Sequence, residues 1–194
     1  MKKPIITLII LTLVGCSQPQ AIEPIPIEQP VNLQVLNEIE IVEPTIPIYD
    51  IPMSKGLQEY TYELCQYYAL PYELVLAVIH TESRFNPLAD SGSSKGLMQL
   101  NINTYPALAK ELGLEIDPMN SVDNVTAGIY YLAKLRDAWQ GYSDEEVFSL
   151  MLISYNRGVQ GCKDYVRKYG LDNIYVTKVY EYKIKLEQQN IYSQ

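Results

Sequence analysis

Glu82 closes the apolar run from Leu74 to Ile79 and stands in the string Ile79-His80-Thr81-Glu82-Ser83. A carboxyl group at the end of an apolar helix, beside a polar loop, is partly desolvated, and desolvation favours its neutral form. A neutral carboxylic acid near pH 7 can protonate a leaving glycosidic oxygen. Taken alone the position is weak, because a glutamate at a helix end is most often a solvated surface group. Most glycosidases use two carboxylates, and Asp90 is the nearest candidate partner in sequence. His80 is the only histidine. With no second histidine and no Cys-His cluster, neither a metal site nor a Ser-His-Asp triad is expected. No cofactor is expected either.

The strings around Glu82 carry more weight. Glu82-Ser83-Arg84-Phe85-Asn86-Pro87 is followed by Ser91, then by Gly96-Leu97-Met98-Gln99. Asn124-Val125-Thr126-Ala127-Gly128-Ile129-Tyr130-Tyr131-Leu132 comes next, then Ser154-Tyr155-Asn156-Arg157-Gly158, and finally Tyr175-Val176. Each string is a weak signal, but five in this order are strong. Their order and spacing resemble the soluble lytic transglycosylase family, over about residues 80–180 and more loosely 55–190. The resemblance implies a mainly α, lysozyme-like (α+β) catalytic domain. It also implies a peptidoglycan lytic transglycosylase that cleaves the MurNAc-GlcNAc β-1,4 bond and leaves 1,6-anhydro-MurNAc ends.

The resemblance also implies roles. Glu82 matches the family's single catalytic acid/base, and Ser91 a serine that contacts substrate. Met98 and Gln99 match the floor and wall of a sugar groove, although a core position for Met98 is an equal alternative. Tyr155 and Asn156 match a tyrosine near the catalytic glutamate and a groove asparagine, and Tyr175 the last aromatic motif. Phe85, Tyr130 and Tyr131 read as packing residues. No second carboxylate is implied, because the C6 hydroxyl of the muramyl sugar attacks its own anomeric centre. Two alternatives stand beside this reading. One is a muramidase that uses water on the same fold. The other is a non-catalytic peptidoglycan-binding lipoprotein.

The chain departs from the family in places. Ser93-Ser94-Lys95 stands where Gly-Ala is common, and one residue is missing there. Asn101 and Ile102 replace a common Met-Pro, and Arg157 stands where alanine is frequent. These differences bear on the loop and the sugar subsites, not on the proposed acid.

The elements that must hold these residues are helical. Leu57, Tyr60, Leu64 and Tyr67 fall at helical spacing. Pro71 suits the start of the next helix, whose run Leu74 to Ile79 is apolar all round and so buried. Further helices are expected near 104–112, 122–139, 143–155, 161–169 and 173–189. Ser143-x-x-Glu146 reads as a capping box, and Gly113, Gly141 and Gly170 as stops. Between about 84 and 103 the Gly, Ser, Asn and Pro content predicts an irregular loop or short hairpin.

The N-terminus reads as an address. Lys2 and Lys3 precede the apolar run Ile5 to Val14, which is half the length needed to span a bilayer. It ends in Leu13-Val14-Gly15-Cys16, which resembles the lipobox of bacterial lipoproteins. That resemblance implies a signal peptide over 1–15 and a lipidated Cys16. Ser17, rather than the Asp of inner-membrane retention, points to the periplasmic face of the outer membrane. Residues 17–52 hold seven prolines, six acids and no Lys or Arg. Such a segment resists compact folding. Residues 16–52 are therefore expected to form a lipidated tether, reaching roughly 100 Å at ~3.1 Å per residue, and residues 53–194 the catalytic domain.

The bulk composition fits. The chain has 194 residues, is 47% hydrophobic and 20% charged, and carries a formal net charge of -8. The acidic balance argues against nucleic acid and against simple adhesion to anionic lipid. The expected partners are peptidoglycan glycan strands and, through Cys16, a membrane. Tyrosine is abundant, at 17 residues, and its flat ring with a polar tip suits sugar faces. Once Cys16 is lipidated, Cys65 and Cys162 remain as a candidate disulfide pair, because an exported location permits one.

Overall fold

A computed structural model describes residues 46–191. Six helices and one small hairpin follow in the order α1 (Lys55–Tyr67), α2 (Tyr72–Ser83), β1 (Ser94–Lys95), β2 (Leu100–Asn101), α3 (Tyr105–Leu112), α4 (Ser121–Asp137), α5 (Asp144–Tyr169) and α6 (Ile174–Ile191). The two strands pair antiparallel, with Ser94 opposite Asn101 and Lys95 opposite Leu100. The mainly α, lysozyme-like reading with one hairpin segment matches this layout. The signal sequence over 1–15, Cys16 and most of the proposed tether lie outside the described residues.

The helix ends follow from local chemistry. Ser54 accepts a hydrogen bond from the Leu57 amide and so satisfies an N-terminal donor of α1. Asn120 does the same for Val122 and Asp123 at α4. Ser143 and Glu146 close a reciprocal capping box at α5. Gly113 takes a left-handed conformation after α3 and stops it.

Leu74 to Ile79 are all buried, so α2 runs through the middle of the core. It packs most extensively against α6, while α4 packs against α1, α3 and α5. α1 buries Gln58, Thr61 and Cys65, not the stripe its apolar residues suggest, and Tyr67 is exposed. Gln58 explains the offset. Its side-chain amide donates to the Tyr49 and Met53 carbonyls and accepts from the Tyr49 amide.

That contact also moves the start of the packed domain. Tyr49 is buried, lies with its ring tilted against Tyr72 at 6.0 Å and donates its hydroxyl to Glu73 at 2.7 Å. Packing therefore begins before Met53, inside the Pro-rich and acidic texture.

Cys65 and Cys162 do not pair. Each is a free, buried thiol, one on α1 and the other on α5, and the Cys162 thiol lies 3.5 Å from the Leu150 carbonyl. They act as small core residues.

Candidate active site

Glu82 sits in the last turn of α2. The helix ends at Arg84, and Arg84 and Phe85 both take positive φ, at 53° and 65°. Two successive left-handed residues other than glycine need support from packing. Phe85 supplies it, being only 2% exposed. The chain thus turns sharply at the helix end and leaves Glu82 facing a cleft.

The cleft has a volume of about 520 Å³. Ser91, Ser94 and Gln99 of the irregular segment line it, as do Leu100, Asn101 and Thr104. Tyr131 from α4 and Tyr155, Asn156 and Arg157 from α5 complete the lining together with Gly158. Among the described residues of this lining, Glu82 is the one carboxylate.

Burial raises the pKa of the Glu82 carboxyl above its ordinary value, and a hydrogen bond from Tyr175 partly offsets the rise. The Tyr175 hydroxyl donates to Glu82 Oε1 at 2.6 Å. Asn173 caps the first turn of α6 by accepting from the Tyr175 and Val176 amides, which fixes where Tyr175 begins its reach. Burial and the Glu82 charge push the hydroxyls of Tyr155 and Tyr175 well above the usual tyrosine range, so both remain donors.

Asp90 is not a second acid for this cleft. It is ion-paired to Lys95 at 2.7 Å, and its other oxygen accepts from the Gly92 amide. The Lys95 hydrogen bond, then the Gly92 amide, hold its carboxyl below the ordinary range.

The irregular segment is shaped by buried polar groups. Asn124, fully buried on α4, accepts from the Met98 amide and donates to the Lys95 and Pro118 carbonyls. Gln99 donates to the Ala89 and Gly96 carbonyls. Tyr155 donates to the Met98 carbonyl at 2.7 Å, tying α5 to the same segment.

Four of the residues assigned by resemblance, Ser91, Gln99, Tyr155 and Asn156, line the cleft with Glu82. Two do not. Met98 is fully buried rather than forming a groove floor. Its thioether occupies the space over Gly128, where an added Cβ would lie 2.2 Å from its sulfur. Only its backbone carbonyl serves the site, by holding Tyr155. Tyr175 is 8% exposed and meets Glu82 instead of the open cleft. Tyr131, read as packing, lines the cleft and lies 5.6 Å from the Tyr155 ring, whereas Tyr130 turns away to bond Glu111. His80 also points elsewhere, stacked on Tyr182 at 3.6 Å. The role of Asn124 is not legible from its place between Asp123 and Val125 in the sequence.

Residues 59–176 match the family described as the transglycosylase SLT domain. The chain belongs to this family. The SLT domain here is similar to a membrane-bound lytic murein transglycosylase F of Desulfosudis oleivorans, at 38% identity over 106 residues, covering 52% of this chain and 22% of that protein. Its fold is similar to the X-ray structure of an inactive mutant of the lytic transglycosylase Slt from Pseudomonas aeruginosa. That match has a TM-score of 0.59 and 19% identity, and covers 72% of this chain and 25% of the other. The chain thus spans about a quarter or less of the length of each relative.

Proposed function

We propose that this chain is a peptidoglycan lytic transglycosylase in which Glu82 is the single acid/base. The observation that carries the reading is that Glu82, with a raised pKa, is the one carboxylate among the described residues of the cleft lining. The protonated Glu82 gives its proton to the oxygen leaving the muramyl anomeric carbon, and that C1–O4 bond breaks. The resulting carboxylate takes the proton of the muramyl C6 hydroxyl as its oxygen bonds to C1. The proton count closes, Glu82 is regenerated, and the products are a 1,6-anhydro-muramyl end and a free 4-hydroxyl on the neighbouring glucosamine. An attacking group already on the ring has an entropic advantage over water. Ser91, Gln99, Asn156 and Tyr155 supply polar groups around the sugars.

Kinetics on purified sacculi test the assignment. Glu82→Gln removes the transferable proton and keeps the shape, so the rate falls by at least ~10²-fold. Asp90→Asn changes it little. A fully active Glu82→Gln protein would overturn the mechanism.

The envelope location belongs to the same proposal. The relative of similar sequence is named as membrane-bound. The lipobox-like Leu13-Val14-Gly15-Cys16 supports a lipid anchor at Cys16, on the periplasmic face of the outer membrane. Cys16→Ser then releases the protein from the membrane fraction or blocks its processing. A variant that stays membrane-bound and matures normally contradicts the anchor.

A further inference from the structure

Arg157 is the one cation among the described residues that line the Glu82 cleft. Its guanidinium carbon lies 4.5 Å from the centre of the Tyr165 ring. Tyr165 is itself fixed, because its hydroxyl donates to the Asp172 carbonyl at 2.7 Å. A planar guanidinium over an aromatic face is attracted by the ring and loses some of its freedom. Gly158, next in the chain, has φ 72° and ψ 160°, a non-helical break inside α5. The break ends the helical turn that carries Tyr155 and Asn156 and lets Arg157 reside at the cleft edge while Tyr165 supports it from the following helical stretch.

No ion pair of the described residues includes Arg157. Among the described residues of the cleft lining the one carboxylate is Glu82, whose charged form is disfavoured by burial. A guanidinium so placed offers a rigid fork for a carboxylate that arrives with the ligand. In peptidoglycan the two alternating sugars differ in this respect. The muramyl ring bears a lactyl arm ending in a carboxyl group, free on stripped strands or amide-linked to a peptide with carboxylates of its own. The glucosaminyl ring bears none.

We propose that Arg157 binds a carboxylate carried on the lactyl arm of the muramyl sugar and thereby selects which strands, and which register along them, the cleft accepts. The inference rests on reading the cleft as a glycan site. The resemblance places alanine at this position in many members, so the cation distinguishes this chain's cleft from theirs.

The test compares wild type, Arg157→Ala, Arg157→Gln and Arg157→Lys on three glycan substrates. The first carries peptide stems, the second is amidase-stripped with free lactyl carboxylates, and the third is stripped with those carboxylates converted to neutral amides. Binding of the same strands as soluble fragments is measured in a Glu82→Gln background with and without the Arg157 changes. Loss of a charge-assisted contact should raise KM or Kd by roughly 10-fold to 100-fold for Arg157→Ala and Arg157→Gln, with kcat little altered. Arg157→Lys should recover part of that loss. The effect should appear on carboxylate-bearing strands and vanish on the amidated ones. A loss on stem-bearing strands alone assigns the carboxylate to the peptide, and a loss on stripped strands assigns it to the lactyl group. Equal losses on charged and amidated strands, or no loss on any, overturn the proposal. Absence of cleavage by the wild type on all three would instead overturn the enzymatic reading, while fragment binding would still decide the role of Arg157.

Discussion

The hydroxyl of Tyr175 donates a 2.6 Å hydrogen bond to Oε1 of Glu82, across 93 positions of sequence. The bond joins the C-terminal end of α2 to the first turn of α6, the pair of helices with the most extensive packing. It sets both the direction of the carboxyl group and its acidity, because it stabilises the charged form against the burial that disfavours it.

Tyr175→Phe removes that bond and keeps the ring. The Glu82 pKa should then move further up, since only the lowering influence is lost. Activity that needs the protonated carboxyl should persist to higher pH, so the alkaline limb of the rate profile moves upward. The loosened carboxyl should also lower kcat by roughly 10-fold to 100-fold, as for a misplaced catalytic group. A profile that keeps its alkaline limb in place would show that the bond does not govern Glu82.

Glu82 should cost the fold stability at neutral pH. Its folded pKa lies above its unfolded value, so the folded state holds the proton more tightly. Stability then falls as pH rises from the ordinary carboxylate value of 4.5 through the raised folded value. Glu82→Gln lacks this loss. Urea unfolding of both proteins across that window should show the Gln variant gaining on the wild type as pH rises. A constant difference would mean that the carboxyl is not desolvated.

The Tyr49 anchor makes a sharp statement about the domain start. A protein beginning at residue 46 should keep the full stability of the domain. One beginning at Met53 loses the Tyr49 partners of the buried Gln58 amide and should lose at least about 2 kcal/mol. Equal unfolding midpoints for the two would place the true start at Met53.

Met98 should behave as a core residue. Met98→Ala should cost roughly 2–5 kcal/mol of stability. Met98→Leu keeps the volume, should cost under about 1.5 kcal/mol, and should leave KM unchanged. A stable Met98→Leu protein with a raised KM would show that the thioether meets sugar.

Part of this arrangement is legible in the sequence alone. The all-round apolar run of α2 and the Ser143–Glu146 capping box are local patterns, and both appear where the residues place them. The ordered strings brought Glu82, Ser91, Gln99, Tyr155 and Asn156 to one cleft, because their spacing reflects a fixed fold. Contacts between distant segments were not legible. Nothing in the spacing of Tyr49 and Gln58 says that a backbone inside a Pro-rich stretch will be bracketed by a buried amide. The fate of Met98 depends on Gly128, a small residue one helix away that opens the space for its sulfur. An exported location is compatible with a bridge between the two thiols, but each is a free, buried core residue, one on α1 and the other on α5.

The central claim is that Glu82 drives an intramolecular displacement at the muramyl ring, and the released fragments report it directly. Mass spectrometry of muropeptides from purified sacculi treated with the wild-type protein should find 1,6-anhydro-muramyl ends, each lighter by one water than a hydrolytic end. Glu82→Gln should release almost none. New reducing muramyl ends in place of anhydro ends would make water the nucleophile and contradict the account.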